Sequence, residues 1–229
     1  LKRSSLTTTA LAGGFFLKYS QIKTGHLNYI VRLTYRQSTK KEKKKMANFK
    51  HPETIGLHGG EYRSDPATTA VAVPIYQTSS YQFKNAETAA NLFGLKEFGN
   101  IYTRIMNPTC DVLEKRVAAL ESGLAAVAVG SGQAASAFCV QNVAQSGDNI
   151  VASTDLYGGT VNLFKNTLRQ QGIEVRFADP ADPKNFEKVT DDKTRAYYGE
   201  SCPNPYLRVF PIKEVSDIGR KKGIPLIID

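Results

Sequence analysis

The stretch that decides the fold is residues 149–178, which read NIVASTDLYGGTVNLFKNTLRQQGIEVRFA. Its two ends, 149–153 and 173–178, are short and rich in Val, Ile and Phe, a composition that favours buried β-strands. Between them, 161–171 has the apolar spacing of an amphipathic helix and stops at Gly172. Strand, helix and strand at this spacing predict two parallel strands joined by a crossover helix.

The same alternation of strands and helices continues on both sides of this stretch. Further strands are predicted at 126–129, 195–199 and 224–228. Further helices are predicted at 111–121, 133–144, 183–189 and 211–222. The pattern predicts an α/β fold with a mainly parallel sheet and helices on both faces, whose ligands bind beyond the carboxyl ends of the strands.

Composition excludes several classes of protein. The 229 residues are 41% hydrophobic and 22% charged with 18 Gly, which is ordinary for a globular chain able to bury a sizeable core. No apolar run approaches the roughly 18 residues of a membrane span, so we expect no membrane partner. The three cysteines show no metal-ligand spacing, which argues against a disulfide framework and a bound metal and favours the reducing cytoplasm.

The positive charge is confined to the first 45 residues. They hold 11 Lys or Arg and one acid, whereas residues 46–229 have a net charge of −1. We interpret 1–45 as a basic, non-globular extension or translated leader before Met46 that forms no part of the core. A transit peptide and a polyanion-binding Lys run at 40–45 are the alternatives. The near-neutral remainder predicts no nucleic-acid partner.

A glycine-rich junction joins the strand at 126–129 to the next helix. It reads Val129-Gly130-Ser131-Gly132-Gln133-Ala134-Ala135, and free amides at such a helix start can bind a phosphate. The segment also matches the dinucleotide fingerprint G-x-G-x-x-A, with Asp155 as a candidate ribose ligand. A tight turn with only a packing role is the third interpretation.

Other loops of the chain carry polar and aromatic side chains. Tyr102 and Arg104 stand in a Gly/Asn-rich loop, where a hydroxyl and a guanidinium can both bind a phosphate. Tyr157 follows a strand and can stack on a ring. Asp229 ends the last strand; such a residue is often a helix cap, but its carboxylate can also pair with a protonated pyridine nitrogen, as a pyridoxal cofactor requires.

Seven motifs in order give the chain a family resemblance from about residue 54 to 229. They are Val73-Pro74-Ile75-Tyr76-Gln77-Thr78-Ser79-Ser80, Tyr102-Thr103-Arg104, Asn107-Pro108-Thr109, Ser131-Gly132-Gln133-Ala134, Tyr157-Gly158-Gly159-Thr160, Glu200-Ser201 with Asn204-Pro205, and Leu226-Ile227-Ile228-Asp229. In these motifs the chain resembles the Cys/Met-metabolism enzymes that depend on pyridoxal 5'-phosphate (PLP), of the cystathionine γ-synthase type. The resemblance implies a truncated large domain of PLP fold type I.

The resemblance also implies roles for individual residues. Backbone amides of Gly132 and Gln133 would hold the cofactor phosphate, and Tyr157 would stack on the pyridine ring and assist proton transfer. Asp229 would keep the ring nitrogen protonated. Asn204 would lie near the cofactor and the substrate carboxylate, although Cys202 and Pro203 depart from the usual spacer before it.

Two further residues carry an implication for assembly. In the family, the residues matching Tyr102 and Arg104 reach the phosphate of a neighbouring subunit, so a homodimer or homotetramer is implied. A dinucleotide enzyme has no use for these residues or for Asp229, which disfavours that alternative.

Within the family, the chain looks most like O-acetylhomoserine sulfhydrylases, on the segment Leu92-Phe93-Gly94-Leu95 together with the Asn107-Pro108-Thr109 and Tyr157 motifs. The implied reaction is γ-replacement on an O-acylated homoserine with sulfide, giving homocysteine in methionine and cysteine biosynthesis and trans-sulfuration. Cystathionine γ-synthase is the alternative, and a γ-lyase is disfavoured because those enzymes commonly have Cys in place of Gly159. A non-catalytic short PLP-binding protein is the alternative from another class.

The family's Schiff-base Lys lies some tens of residues beyond the strand-ending Asp, and its substrate-binding Arg is in a later domain. No Lys up to Asp229 matches that motif. We therefore expect an inactive N-terminal fragment, with an extension at 1–45, an arm with cofactor and subunit contacts at 46–110 and an incomplete PLP-binding domain at 111–229.

Overall fold

The computed structural model describes residues 10–12, 15–17, 51–59 and 68–229. The chain divides into two compact units, Leu1–Ala128 and Val129–Asp229. In the first segment, β1 (Ala10–Ala12) and β2 (Phe15–Leu17) pair as antiparallel strands. The interpretation of 1–45 as a non-globular leader otherwise lies outside the described residues.

The described residues of the first unit form three helices whose starts are fixed by local sequence. They are α1 (Pro52–His58), α2 (Ala86–Phe93) and α3 (Pro108–Leu120). Asn85 caps α2 by accepting the Thr88 N–H, and a proline opens α1 and α3, where no helical N–H is needed. The helix predicted at 111–121 is confirmed as α3, while α1 and α2 were missed.

The second unit is built on a four-stranded sheet. Its strands are β3 (Asn149–Ser153), β4 (Glu174–Ala178), β5 (Thr194–Gly199) and β6 (Leu226–Ile228). The spatial order is β4-β3-β5-β6, and all three pairings are parallel. The predicted parallel sheet is confirmed, and every residue of the central β3 is buried, as its unbroken apolar pattern requires.

Helices cover both faces of this sheet, as predicted. They are α4 (Gly132–Val143), α5 (Gly158–Asn162), a π-helical continuation at Leu163–Leu168, α6 (Lys184–Lys188) and α7 (Ile212–Lys222). Successive side chains of β5 point to opposite faces. Tyr198 meets Phe164 of the π-helical segment edge-on at 4.8 Å between ring centroids, and Tyr197 meets Phe186 of α6 at 5.6 Å.

Among the described residues, one predicted element is absent and another differs in its bounds. Residues 126–129 form no strand with any described residue, and Val127 is 63% exposed, because an apolar composition does not by itself supply a neighbouring strand to bond with. The helix predicted from residue 161 begins three residues earlier, at Gly158, and changes to π-helix at Leu163. Gly158 and Gly159 are compatible with this earlier start, because the N–H groups in the first turn of a helix need no helical partner.

Gly147 and Gly172 both have a left-handed backbone conformation, so alanine variants at the two positions separate the cost of that conformation from the cost of a side-chain clash. Gly147 has φ +90° and open space where an added Cβ would lie, whereas a Cβ on Gly172, at φ +79°, would clash with the Ser146 Oγ and lie 3.0 Å from the Ser146 Cβ. We expect Gly147→Ala to lower the free energy of unfolding by about 1–2 kcal/mol, the cost of the left-handed backbone. Gly172→Ala should lower the free energy of unfolding by more, because Ser146 must also move. Urea unfolding of both variants measures the difference, and equal losses would contradict the predicted clash.

Candidate functional site

The first turn of α4 presents unused N–H groups at the carboxyl edge of the sheet. The Ser131 hydroxyl caps the helix by accepting the Ala134 N–H at 3.1 Å. The N–H groups of Gly132 and Gln133 have no acceptor in the part of the chain that the structure describes. A Cβ on Gly132 would meet nothing within 4 Å, so a ligand can approach this backbone closely. Free amides at the positive end of a helix form an anion site.

Tyr157 stands on a loop that a buried carboxylate holds in place. Its backbone N–H donates to both oxygens of Glu200, at 2.9 and 3.0 Å. The phenol ring is 51% exposed and lies against Gly159, where a Cβ would come within 2.5 Å of it. A side chain at position 159 would therefore displace the ring from this position, and the exposed ring is available for stacking.

A hydrogen-bonded chain joins this loop to the first turn of α4. The side-chain amide of Gln133 donates to the Thr160 hydroxyl at 3.0 Å, and that hydroxyl bonds the Glu200 carboxylate. Burial raises the pKa of the Glu200 carboxyl, and the bonds from Tyr157 and Thr160 act in the opposite direction. The Tyr157 loop and the first turn of α4 are thus both connected to the buried carboxylate of Glu200.

Asp229 lies at the same edge, where β6 ends. Its backbone continues the sheet by bonding Gly199 and Ser201, and the residue is exposed. The Tyr198 hydroxyl donates to the Asp229 Oδ2 at 3.4 Å and lies 2.9 Å from the Ser136 Oγ of α4. Burial raises the pKa of Tyr198, which keeps the hydroxyl protonated as a donor.

A cavity of about 90 Å³ runs between α4 and the ends of β5 and β6. Gly132 and Asp229 both line it, together with Cys139 and Tyr198. The structure therefore brings two of the predicted site residues, the phosphate candidate and the acid, onto one cavity. The pKa of the Cys139 thiol is raised, first by burial and then by the nearby Asp229 charge, so the thiol stays neutral there.

Two other polar residues near this edge have different surroundings. Asn204 lies in the exposed loop after β5. Asp155, the ribose candidate of the dinucleotide interpretation, is buried and its Oδ2 accepts from the Arg208 guanidinium at 2.6 and 2.7 Å. Because Arg208 occupies that carboxylate, Asp155 is not available to a ribose, and the dinucleotide interpretation fails.

In the first unit, three of the seven motifs are joined to one another by hydrogen bonds. The Thr109 hydroxyl donates to the Pro74 carbonyl at 3.0 Å, and the Asn107 amide donates to the Tyr76 carbonyl at 3.0 Å. The Thr103 N–H donates to the Ser79 carbonyl at 2.9 Å. The loop that carries Tyr102 and Arg104 is thereby tied to two other segments of the chain.

Tyr102 and Arg104 themselves are exposed and lie together. The Arg104 guanidinium carbon is 5.5 Å from the centroid of the Tyr102 ring, within reach of a cation–π interaction. No described carboxylate forms an ion pair with Arg104. A hydroxyl and an unpaired guanidinium side by side can bind an anion.

Four contributors to the site were not assigned a role from the sequence: Ser136, Thr160, Tyr198 and Glu200. Glu200 stood inside a recognised motif, directly after a predicted strand, and a carboxylate at a strand's carboxyl end was the available signal. Thr160 also stood inside a recognised motif, whereas Ser136 and Tyr198 bond each other across 62 positions, so no local pattern indicates those two.

A parallel α/β sheet that gathers free helix amides, an aromatic ring and a carboxylate at its carboxyl edge defines a cofactor-binding α/β protein. Residues 53–229 match the family described as Cys/Met metabolism PLP-dependent enzyme, and the chain belongs to that family. The resemblance stated from the motifs is confirmed.

Named relatives agree with the predicted branch of the family. Over 182 residues the chain is 57% identical to the O-acetyl-L-homoserine sulfhydrylase of Leptospira meyeri, covering 80% of this chain and 41% of that protein. Over 180 residues it is 47% identical to the homocysteine/cysteine synthase of Saccharomyces cerevisiae, covering 78% of this chain and 40% of that protein. The chain thus spans about two fifths of the length of these relatives.

A solved structure is similar over the same region. It is that of a putative O-acetylhomoserine (thiol)-lyase from Campylobacter jejuni, with a TM-score of 0.76, 43% identity, and coverage of 80% of this chain and 44% of that one. That structure carries a pyridoxyl-lysine monophosphate. The predicted fold class is confirmed. In the part of the present chain that the structure describes, no helix is long and apolar enough to span a membrane.

Proposed function

We propose that the full-length protein is a PLP-dependent transferase that replaces the acyloxy group of an O-acylated homoserine with sulfide, releasing a carboxylate and homocysteine. The observation that carries this proposal is the shared cavity lined by Gly132 and Asp229, together with the exposed Tyr157 that Glu200 holds after β3. The identities to a sulfhydrylase and a homocysteine/cysteine synthase support the substrate class. The product would serve methionine and cysteine biosynthesis.

The residues present fit PLP. The free amides of Gly132 and Gln133 match a phosphate, and the Asp229 carboxylate matches a protonated pyridine nitrogen. When bound, PLP supplies an electron sink for bond breaking next to the amino group of the substrate. Asp229 would keep the ring nitrogen protonated, and the Tyr198 hydroxyl donates to the Asp229 carboxylate.

The remaining site residues would orient substrate and move protons. The exposed phenol of Tyr157 would stack on the ring and assist proton transfer, and Asn204 would orient the substrate carboxylate. We place the covalent Lys in the part of the full-length protein that follows Asp229. Residues 1–229 alone therefore bind phosphate but do not catalyse.

The proposal includes an assembly and a location. Exposed, unpaired Arg104 with Tyr102 supports a homodimer or homotetramer in which these side chains bind the phosphate of a neighbouring subunit. The division into an extension at 1–45, an arm at 46–110 and a cofactor domain from 111 is part of the same proposal. We further propose a cytoplasmic protein without nucleic-acid or membrane partners.

Borohydride reduction in the presence of PLP tests the proposal. In the full-length protein we expect one Lys after position 229 to be labelled stoichiometrically, with turnover of O-acetylhomoserine and sulfide to homocysteine. The 229-residue chain should give neither result, since it offers no lysine in the family's motif. Turnover with cysteine in place of sulfide would indicate a cystathionine γ-synthase. Stoichiometric labelling and turnover by the 229-residue chain would contradict the proposal.

A further inference from the structure

Glu200 is a buried acid whose contacts differ from those of the other buried acids of the second unit. Asp155 and Asp148 each form an ion pair with an arginine, at 2.6 Å to Arg208 and 2.8 Å to Arg195. Glu200 is 7% exposed, and no described Lys or Arg side chain bonds it. A buried charge without a cationic partner is costly, so its retention needs another reason.

The partners of Glu200 are three groups that belong to the candidate site. The Tyr157 N–H donates directly to the carboxylate, and the Thr160 hydroxyl bonds it while accepting from the Gln133 amide. A backbone N–H and an amide N–H can only donate, and the Thr160 hydroxyl, which accepts from Gln133, has its own proton left to donate to Glu200. The ionised carboxylate is acceptor-only and has lone pairs for both Tyr157 and Thr160.

We propose that Glu200 is a positioning residue for the cofactor, holding the Tyr157 loop directly and the first turn of α4 through Thr160 and Gln133. The inference rests on the proposed function, because it assigns the ring and phosphate contacts to Tyr157 and Gln133. Glu200 touches neither cofactor nor substrate. It fixes the spacing between the group that stacks on the ring and the amides that bind the phosphate.

The Glu200→Gln variant distinguishes an effect on cofactor positioning from an effect on the stability of the apoprotein. The Tyr157 N–H lies within 3.0 Å of both carboxylate oxygens, so in either orientation the NH₂ group of the glutamine would face that N–H and weaken the bond. The same change removes a buried charge, and burial raises the pKa of the Glu200 carboxyl in the native protein. The folded state is therefore charged there at a cost, and Glu200→Gln should not lower the stability of the apoprotein at neutral pH.

The test uses the full-length holoenzyme with PLP as the probe. The variants are Glu200→Gln, Thr160→Val, which keeps the shape but removes the hydroxyl, and Thr160→Ser, which keeps the hydroxyl. The readouts are the rate of PLP loss on dialysis, the visible circular dichroism of bound PLP, which reports ring orientation, and the unfolding temperature of the apoprotein.

We expect Glu200→Gln to lose PLP about tenfold faster, the effect of one hydrogen bond to a charged group, with altered dichroism and an unchanged apoprotein. Thr160→Val should shift retention in the same direction and Thr160→Ser should match wild type. Wild-type retention and dichroism in both Glu200→Gln and Thr160→Val would overturn the inference, as would a fall in apoprotein stability that parallels the loss of PLP. A wild-type protein that binds no PLP would instead overturn the proposed function.

Discussion

Asp229→Asn in the full-length protein is expected to remove most of the turnover without disturbing the sheet. The strand end is held by backbone bonds between Asp229 and both Gly199 and Ser201, which the substitution leaves in place. Asparagine has the same shape but no negative charge to hold a proton on the pyridine nitrogen. Losing one partner of such a hydrogen-bonded charge pair costs about 2–5 kcal/mol.

Steady-state kinetics and PLP affinity, measured separately, check this expectation. Turnover should fall far more than PLP affinity, because the amides of Gly132 and Gln133 still bind the phosphate. Asp192→Asn is the matched control, since Asp192 is an exposed aspartate at the opposite edge of the same sheet. An Asp229→Asn enzyme with wild-type turnover would remove Asp229 from the site.

Arg104→Ala is expected to weaken cofactor binding by about 1.5–3 kcal/mol, the range of a hydrogen bond to a charged group. The Arg104 guanidinium lies against the Tyr102 ring and has no described carboxylate partner, so little local structure depends on it. The loop is held instead by the Thr103 backbone on Ser79. If the side chain reaches the phosphate of a neighbouring subunit, the same change should loosen the oligomer.

PLP retention on dialysis and size-exclusion chromatography report the two effects of Arg104→Ala. Arg104→Lys should fall in between, because it keeps the charge but loses the planar fork. Arg169→Ala provides a control with the same residue type at an exposed position of the second unit. Unchanged PLP retention in Arg104→Ala would exclude Arg104 from phosphate binding.

Short buried strands and local helix signals could be predicted because their causes lie in neighbouring residues. Strand β3 was predicted with its observed bounds, since an apolar run between polar flanks has one way to be buried on both faces. The Asn107-Pro108-Thr109 segment that the sequence offered as a family motif is also a helix cap, with the Asn107 Oδ1 accepting the Thr109 N–H at 2.9 Å. Such signals act within a few residues.

The contacts that complete the site were decided by tertiary structure. Glu200 accepts a hydrogen bond from Tyr157, which is 43 positions away in the sequence. Arg208 bonds the carboxylate of Asp155, which is 53 positions away. Residues 126–129 have the composition of a strand but no described partner. The sequence by itself determined which segments alternate as strand and helix, and hence that strand ends gather at one edge of the sheet. Which side chains bond there depended on the order β4-β3-β5-β6, because that order sets which distant loops become neighbours.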